Sequence, residues 1–321
     1  MSVLHVRDLK TTFSIKAGVV RAVDDVSFSL MQGETLGIVG ESGSGKTSIA
    51  LSICRLLPPE GRVISGQIMM DGVDLLSLCD EDFRLRRWKD ISIIFQGAMN
   101  ALNPVMKVGE QISEVIMLHS ACSYDEARDK AKELFRMVEI DSGRIDTYPH
   151  EFSGGMRQRA IIAMALACGP RIVIGDEPTT GLDVMVQAQV LDLMDRLRRE
   201  ERMSMILITH DLSVLGEIAD RVAVMYAGKI VESGSTEEIL QRGVHPYTRL
   251  LARSFPDVHG SREMVASIPG NPPNLISPPS GCRFHPRCPV SSEICSNEEP
   301  VFRDLGGGHM AACHLVKDGA L

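Results

Sequence analysis

Membrane-spanning runs are missing from this 321-residue sequence. The longest uninterrupted apolar stretch, Ala160 to Cys168, is about half of what a spanning helix needs. The opening MSVLHVRDLK has no apolar core of the kind a secretory signal carries. Blocks of basic charge are missing too. Runs such as Arg84 to Trp88 are short and interspersed with acids, and the formal net charge is -8, which argues against a nucleic-acid footprint. No internal repeat is present. These absences predict a chain that stays in the cytoplasm and meets any membrane through a partner. Cysteine is not scarce, with eight residues, but in a reducing compartment they are not expected to form disulfides. A hydrophobic share of 44% suffices for a core, and the length predicts a main domain of about 200 to 250 residues with an appendage.

What is present begins with GIVGESGSGKTSIA. An apolar strand, TLGIVG, runs into Gly40-Glu41-Ser42-Gly43-Ser44-Gly45-Lys46-Thr47, and a helical pattern opening through Ser48 follows. Glycines let such a loop turn tightly and aim successive amides inward, and the helix adds its positive N-terminal end, so a polyphosphate meets oriented donors. In this pattern Lys46 reaches the β- and γ-phosphates of ATP and the Thr47 hydroxyl binds magnesium.

Further along, RIVIGDEPTTGLD supplies a buried strand, Ile172 to Ile174, with Asp176 and Glu177 at its carboxyl end, where open α/β sheets place their ligands. Asp176 is expected to hold magnesium through water. Glu177 is then free to polarise an attacking water, the one proton-handling task of phosphoryl transfer.

Between these halves lies EFSGGMRQRAIIAMALA, and here the chain resembles ABC-type ATPases. Ser153, Gly154, Gly155 and Gln158 match the family's signature motif, read physically as a second helix N-terminus suited to a γ-phosphate. Standing alone, Ser153 would be an ordinary helix cap. The resemblance implies further roles: Gln96, ending ISIIFQ, as the glutamine that senses γ-phosphate and magnesium; Gly181-Leu182-Asp183 as the D-loop, with Gly181 where the family often has alanine or serine; and His210, ending MSMILITH, as the switch histidine. Magnesium would then be held by Thr47, Gln96 and Asp176. Phe13 is the aromatic expected to stack on adenine, with a core role on an edge strand as its alternative.

The implied fold is an α/β P-loop NTPase of ABC type, with a mixed core sheet, an antiparallel β subdomain, an inserted helical subdomain and a small cysteine-rich C-terminal extension. The expected boundaries are a nucleotide-binding domain over 1-235 that contains the helical subdomain within 97-159, a helical connector over 236-265, and a proline-rich, cysteine-bearing module over 266-321. Family members form head-to-tail dimers in which the phosphate loop of one subunit faces the signature residues of the other.

Longer stretches narrow the resemblance. IIFQGAMNALNPVMKVGEQI, YPHEFSGGMRQR, DEPTTGLDV, HPYTRLLARSFP and the proline-rich tail are similar to ATPase subunits of oligopeptide and dipeptide importers, with nickel importers as near relatives. The resemblance implies a peripheral subunit on the cytoplasmic face of the membrane. Its partners would be a second ABC ATPase subunit, paralogue or self, two permease subunits and, indirectly, an extracytoplasmic peptide-binding protein. An ABC ATPase without a permease would carry long coiled-coil insertions or basic arms, which this sequence lacks.

Near the C-terminus GCRFHPRCPVSSEIC packs three cysteines into fifteen residues. Five prolines between 269 and 279 predict an extended connector laid along a surface or spanning a gap. Then come Cys282, Cys288, Cys295 and Cys313, in a segment with too few large apolar side chains for its own core. Four thiolates suit zinc or an iron-sulfur cluster equally in ligand count, and the spacing leaves zinc, cluster and no metal open. The resemblance implies a [4Fe-4S] cluster, with Zn2+ the alternative and His285, His309 and His314 as further candidate ligands. Cys54, Cys79, Cys122 and Cys168 are expected to be small core residues.

Overall fold

The computed structural model describes residues 2–97, 101–254 and 268–316. Residues 98–100 of the stretch after Gln96, and 255–265 of the expected connector with the end of HPYTRLLARSFP, lie outside the described residues.

The chain opens with β1 (Ser2–Ile15) and β2 (Gly18–Met31). β3 (Thr35–Val39) is buried at every position, as a strand covered on both faces must be, and leads through the glycine loop into α1 (Lys46–Ile53). β4 (Gly61–Met70) and β5 (Val73–Asp74) are joined by Asp71 and Gly72 at φ 51° and 77°, the positive pair that a two-residue hairpin turn requires. Next come α2 (Asp80–Arg86), β6 (Ile91–Ile94), α3 (Val108–His119), α4 (Tyr124–Met137) and α5 (Gly154–Ala165). They are followed by β7 (Ile172–Asp176), α6 (Val184–Glu200), β8 (Ser204–Thr209) and α7 (Leu212–Ile218). The C-terminal part holds β9 (Arg221–Tyr226), β10 (Lys229–Ser235), α8 (Thr236–Arg242), α9 (Pro246–Arg253), α10 (Glu293–Asn297), β11 (Phe302–Asp304) and β12 (Met310–Ala312).

The chain divides into two compact units, one built from Met31–Gly33 and Ser77–Ile206, the other from Ser2–Leu30, Glu34–Leu76 and Leu207–Leu321. In the first, β6 and β7 run parallel, with Ile91 opposite Ile172 and Ile94 opposite Gly175. Its helical part inserts between these two strands. Ser123 and Glu126 close a capping box at the start of α4, which buries Ala127, Ala131, Leu134 and Phe135 on one face, with Phe135 edge-on to Phe152. Gly109 of α3 lets the chain at Ile145 come so near that a Cβ there would stand 2.5 Å from the Ile145 carbonyl oxygen.

The second unit holds a four-stranded sheet in the order β2-β1-β4-β5, with β1–β4 and β4–β5 antiparallel. Its other strands follow the order β11-β12-β10-β9-β3. β3 and β9 are parallel, from Leu36 opposite Arg221 to Val39 opposite Val224, and the remaining pairs are antiparallel. The last two strands come from the cysteine-bearing tail, where Glu232 of β10 faces Ala311. The tail thus solves its shortage of apolar side chains by extending a sheet edge and packing Ala311 and Val316 on Val244. The proline-rich stretch described from 268 on carries no regular structure and lies along β2: the Arg21 N–H donates to the Leu275 carbonyl at 3.0 Å.

Of the four cysteines expected in the core, Cys54 is buried there, but Cys79 is exposed and Cys122 and Cys168 are half-buried. Cys79 instead caps α2, its sulfur accepting from the Asp82 N–H at 3.4 Å. Among the described residues no helix is long and apolar enough to cross a membrane.

Candidate active site

The loop after β3 has a backbone only glycine permits at two turns. Gly43 and Gly45 have φ of 79° and 105°, and a Cβ on Gly45 would stand 2.0 Å from the Ala22 carbonyl oxygen. Gly40 is equally confined, 2.0 Å from the Met225 carbonyl oxygen by the same measure. Lys46 opens α1 and is almost fully buried. Its Nζ donates to the carbonyls of Gly40 at 2.6 Å and Glu41 at 3.0 Å, so the ammonium is folded back into its own loop. Ser44 Oγ is buried without a hydrogen-bond partner, a cost that a ligand carrying oxygen acceptors would remove. Ser42, Gly43 and Thr47 are exposed, while Ser48 is half-buried. The same unit holds His210, exposed directly after β8, and Phe13, half-buried in β1 opposite Gly61.

In the other unit β7 ends at Asp176, which is buried, and the chain turns at Glu177 through a left-handed φ of 48°. Non-glycine residues in that region cluster at functional sites. Gln96, two residues beyond β6, donates its Nε2 to Glu177 Oε2 at 2.8 Å, and Thr180 Oγ1 donates to the same oxygen at 3.0 Å. The glutamine and the glutamate, 81 positions apart, are therefore brought together by the parallel pairing of β6 and β7. Ser153 caps α5, its hydroxyl oxygen accepting from the Met156 N–H at 3.3 Å. Gly155 lets α6 approach, since a Cβ there would lie 2.8 Å from Val186. Gln158 is buried, with its Nε2 unpartnered. Asp183 caps α6 by accepting from the Val186 N–H at 3.1 Å.

The tail brings its four cysteines to one small cavity, lined also by His245, Phe284, His285, His314 and Leu315. Burial pushes the Cys282 thiol up to about 11, and it raises Cys288 and Cys313 as well. Donor number and type fit a four-thiolate centre. Among the described residues, however, no group of three or more His, Cys, Asp or Glu side chains is closed up as a metal-ion site. His309 does not line the cavity. Its Nε2 is instead 2.7 Å from the fully buried Glu232, whose carboxylate also accepts the N–H groups of Val244 and His245.

Two residues that sequence reasoning passes over lie beside the cysteines. Arg283 is buried and donates to Asp24 and to the Ala227 carbonyl. Arg287 grips Glu41 of the phosphate loop. The signal is there in GCRFHPRC, where each arginine is next to a cysteine, but nothing local says which acid an arginine will find.

The family described as ABC transporter matches residues 23–180, and the one described as oligopeptide/dipeptide transporter, C-terminal region, matches residues 231–295. The oligopeptide transport ATP-binding protein OppD of Escherichia coli K12 is 47% identical over 97% of this chain and 93% of its own length. The dipeptide transport ATP-binding protein DppD of Bacillus subtilis 168 is 46% identical over 98% of this chain and 94% of its own. Among solved structures, a dimeric ATP-binding cassette in a post-hydrolysis state with ADP and Pi superposes with a TM-score of 0.65 at 26% identity, covering 73% of this chain and 98% of that one. Single relatives thus cover both the nucleotide-binding part and the C-terminal part of this chain. The chain belongs to the ATP-binding subunits of oligopeptide and dipeptide ABC transporters, with the α/β P-loop NTPase fold of the ABC type.

Proposed function

We propose that this ATPase subunit drives import of di- and oligopeptides from the cytoplasmic face of the membrane, paired with a second ABC ATPase subunit and two permease subunits. The observation that supports it most is the near full-length match to OppD and DppD, which includes the tail as well as the nucleotide core. The chemistry divides among this chain's residues as follows. Lys46 and the loop amides would carry the β- and γ-phosphates; Thr47 is a candidate magnesium ligand in its unit, and Gln96 and Asp176 are candidate magnesium ligands in theirs. Glu177 polarises the attacking water and His210 bonds the γ-phosphate. Phe13 stacks on adenine. Ser153, Gly154, Gly155, Gln158 and Asp183 serve the nucleotide of the partner subunit. Val184 and Met185, 79% and 72% exposed beside Asp183, give that partner an apolar surface to cover. Reconstituted in vesicles with its permease pair and binding protein, the chain is expected to hydrolyse ATP faster when peptide is supplied. Stimulation by nickel and not by peptide would overturn the substrate assignment.

The tail's Cys282, Cys288, Cys295 and Cys313 would hold a [4Fe-4S] cluster in this reading, with zinc the alternative. The support is the shared cavity and the burial of its thiols, which a cationic centre would offset by taking them as thiolates. The centre would supply a structural staple, since nucleotide hydrolysis needs no electrons. Protein purified without oxygen is expected to contain iron and sulfide in equal amounts, and Cys288→Ser to lose both. Stoichiometric zinc without iron would replace the cluster. Absence of both would remove the metal.

A further inference from the structure

The phosphate loop and the cysteine-bearing tail belong to the same compact unit, and the tail touches the loop through one charged side chain. Arg287, immediately before Cys288, is 6% exposed. It reaches the two carboxylate oxygens of Glu41 with Nη1 at 2.6 Å and Nη2 at 2.9 Å, the parallel two-bond geometry of a guanidinium on a carboxylate. The remaining donors of Arg287 go to the Pro269 and Gly270 carbonyls and the Tyr226 hydroxyl, and its charge lies 5.8 Å from the centre of the Tyr226 ring. Glu41 is also held through its backbone, where its N–H donates to the Tyr247 hydroxyl at 2.9 Å. That tyrosine is fixed in turn by the tail: Phe284, between Cys282 and Cys288, packs on Tyr247 and edge-on to Tyr226, with ring centres 5.3 and 5.1 Å away. Both the side chain and the backbone of Glu41 are thus determined by residues lying between the first two cysteines of the tail. The Glu41 carbonyl, for its part, accepts from Lys46 Nζ.

We infer that Arg287 is a positioning residue for nucleotide binding, acting through Glu41 to hold the phosphate loop in its receptive shape, so that the cysteine-bearing tail sets the affinity for ATP. The ion pair is buried enough that removing one partner leaves the other charge uncompensated against the loop. The loop then has an alternative arrangement in which Glu41 turns to solvent and its carbonyl leaves Lys46. A nucleotide must reverse that before it binds, which raises the apparent dissociation constant by the fraction of loops misarranged. Chemistry after binding is untouched, because neither Arg287 nor Glu41 is among the groups assigned to water activation.

The test uses the full-length chain and a fluorescent ATP analogue. Arg287→Ala is expected to raise the analogue's dissociation constant and the KM for ATP about tenfold while kcat stays within about twofold, a split that a general loss of structure would not give. Arg287→Lys, which keeps the charge but not the two-bond geometry, falls between. Glu41→Gln, made from the loop side, is expected to weaken binding in the same way and serves if Arg287→Ala does not fold. Binding within twofold of the unaltered chain in either Arg287→Ala or Glu41→Gln would overturn the inference, as would kcat and KM changing equally in both.

Discussion

Glu177→Gln is expected to lower ATP turnover by about 100-fold or more while leaving ATP affinity within about twofold, because the proposed mechanism gives Glu177 general-base catalysis and no part in binding. The geometry makes this exchange clean. Gln96 Nε2 and Thr180 Oγ1 both donate to Glu177 Oε2, and an amide oxygen in the same place accepts both bonds. The left-handed turn at φ 48° also stays, since glutamine has the same backbone preferences and length. What changes is the negative charge of the carboxylate, which lets it draw a proton from water. Single-turnover hydrolysis alongside equilibrium binding checks both halves, and unchanged turnover would refute Glu177 as the base.

The second large effect is at Lys46. Burying an ammonium group almost completely is costly unless its donors and charge are matched, and here two loop carbonyls, of Gly40 and Glu41, accept hydrogen bonds from it. A triphosphate offers the same group acceptors of opposite charge, so that contacts of an ion with carbonyl dipoles are replaced by an ion pair. Lys46→Ala removes both the charge and the tie between the two ends of the loop. ATP affinity is expected to fall by about 100-fold or more, which is roughly 2.7 kcal/mol. Millimolar ATP raises the melting temperature of the unaltered chain through binding to the folded form, and that rise is expected to vanish in the variant. A dissociation constant within threefold of the original would remove Lys46 from the site.

The local elements that carry Glu177 and Lys46 are both legible in the amino-acid sequence, and for an identifiable reason. The phosphate loop is a local object: strand, glycines, lysine and helix are consecutive, so the spacing of GESGSGKT is itself the geometry. The acidic pair is similarly local to one strand end. Phe13 is less legible, because aromatic stacking on a base depends on what surrounds a ring, and the ring here lies against Gly61. The cysteines outside the tail depart from the simplest expectation. A small apolar side chain is often buried, but Cys79 finds a helix N-terminus to cap. His309, a candidate ligand by type and position, is committed to Glu232 on a neighbouring strand.

By itself, then, the sequence determined the phosphate loop, the acidic strand end, the signature helix and the presence of a cysteine-bearing tail, because each is written within a dozen or two consecutive residues whose chemistry depends on their own spacing. Only the tertiary structure decided that Gln96 bonds Glu177, that the tail extends β10 as two further strands, and that Arg287 closes on Glu41 from 246 positions away. Those are pairings between distant segments. A buried arginine must find a carboxylate, and a sheet edge must find a strand, but which one it finds is set by the packing of the whole unit.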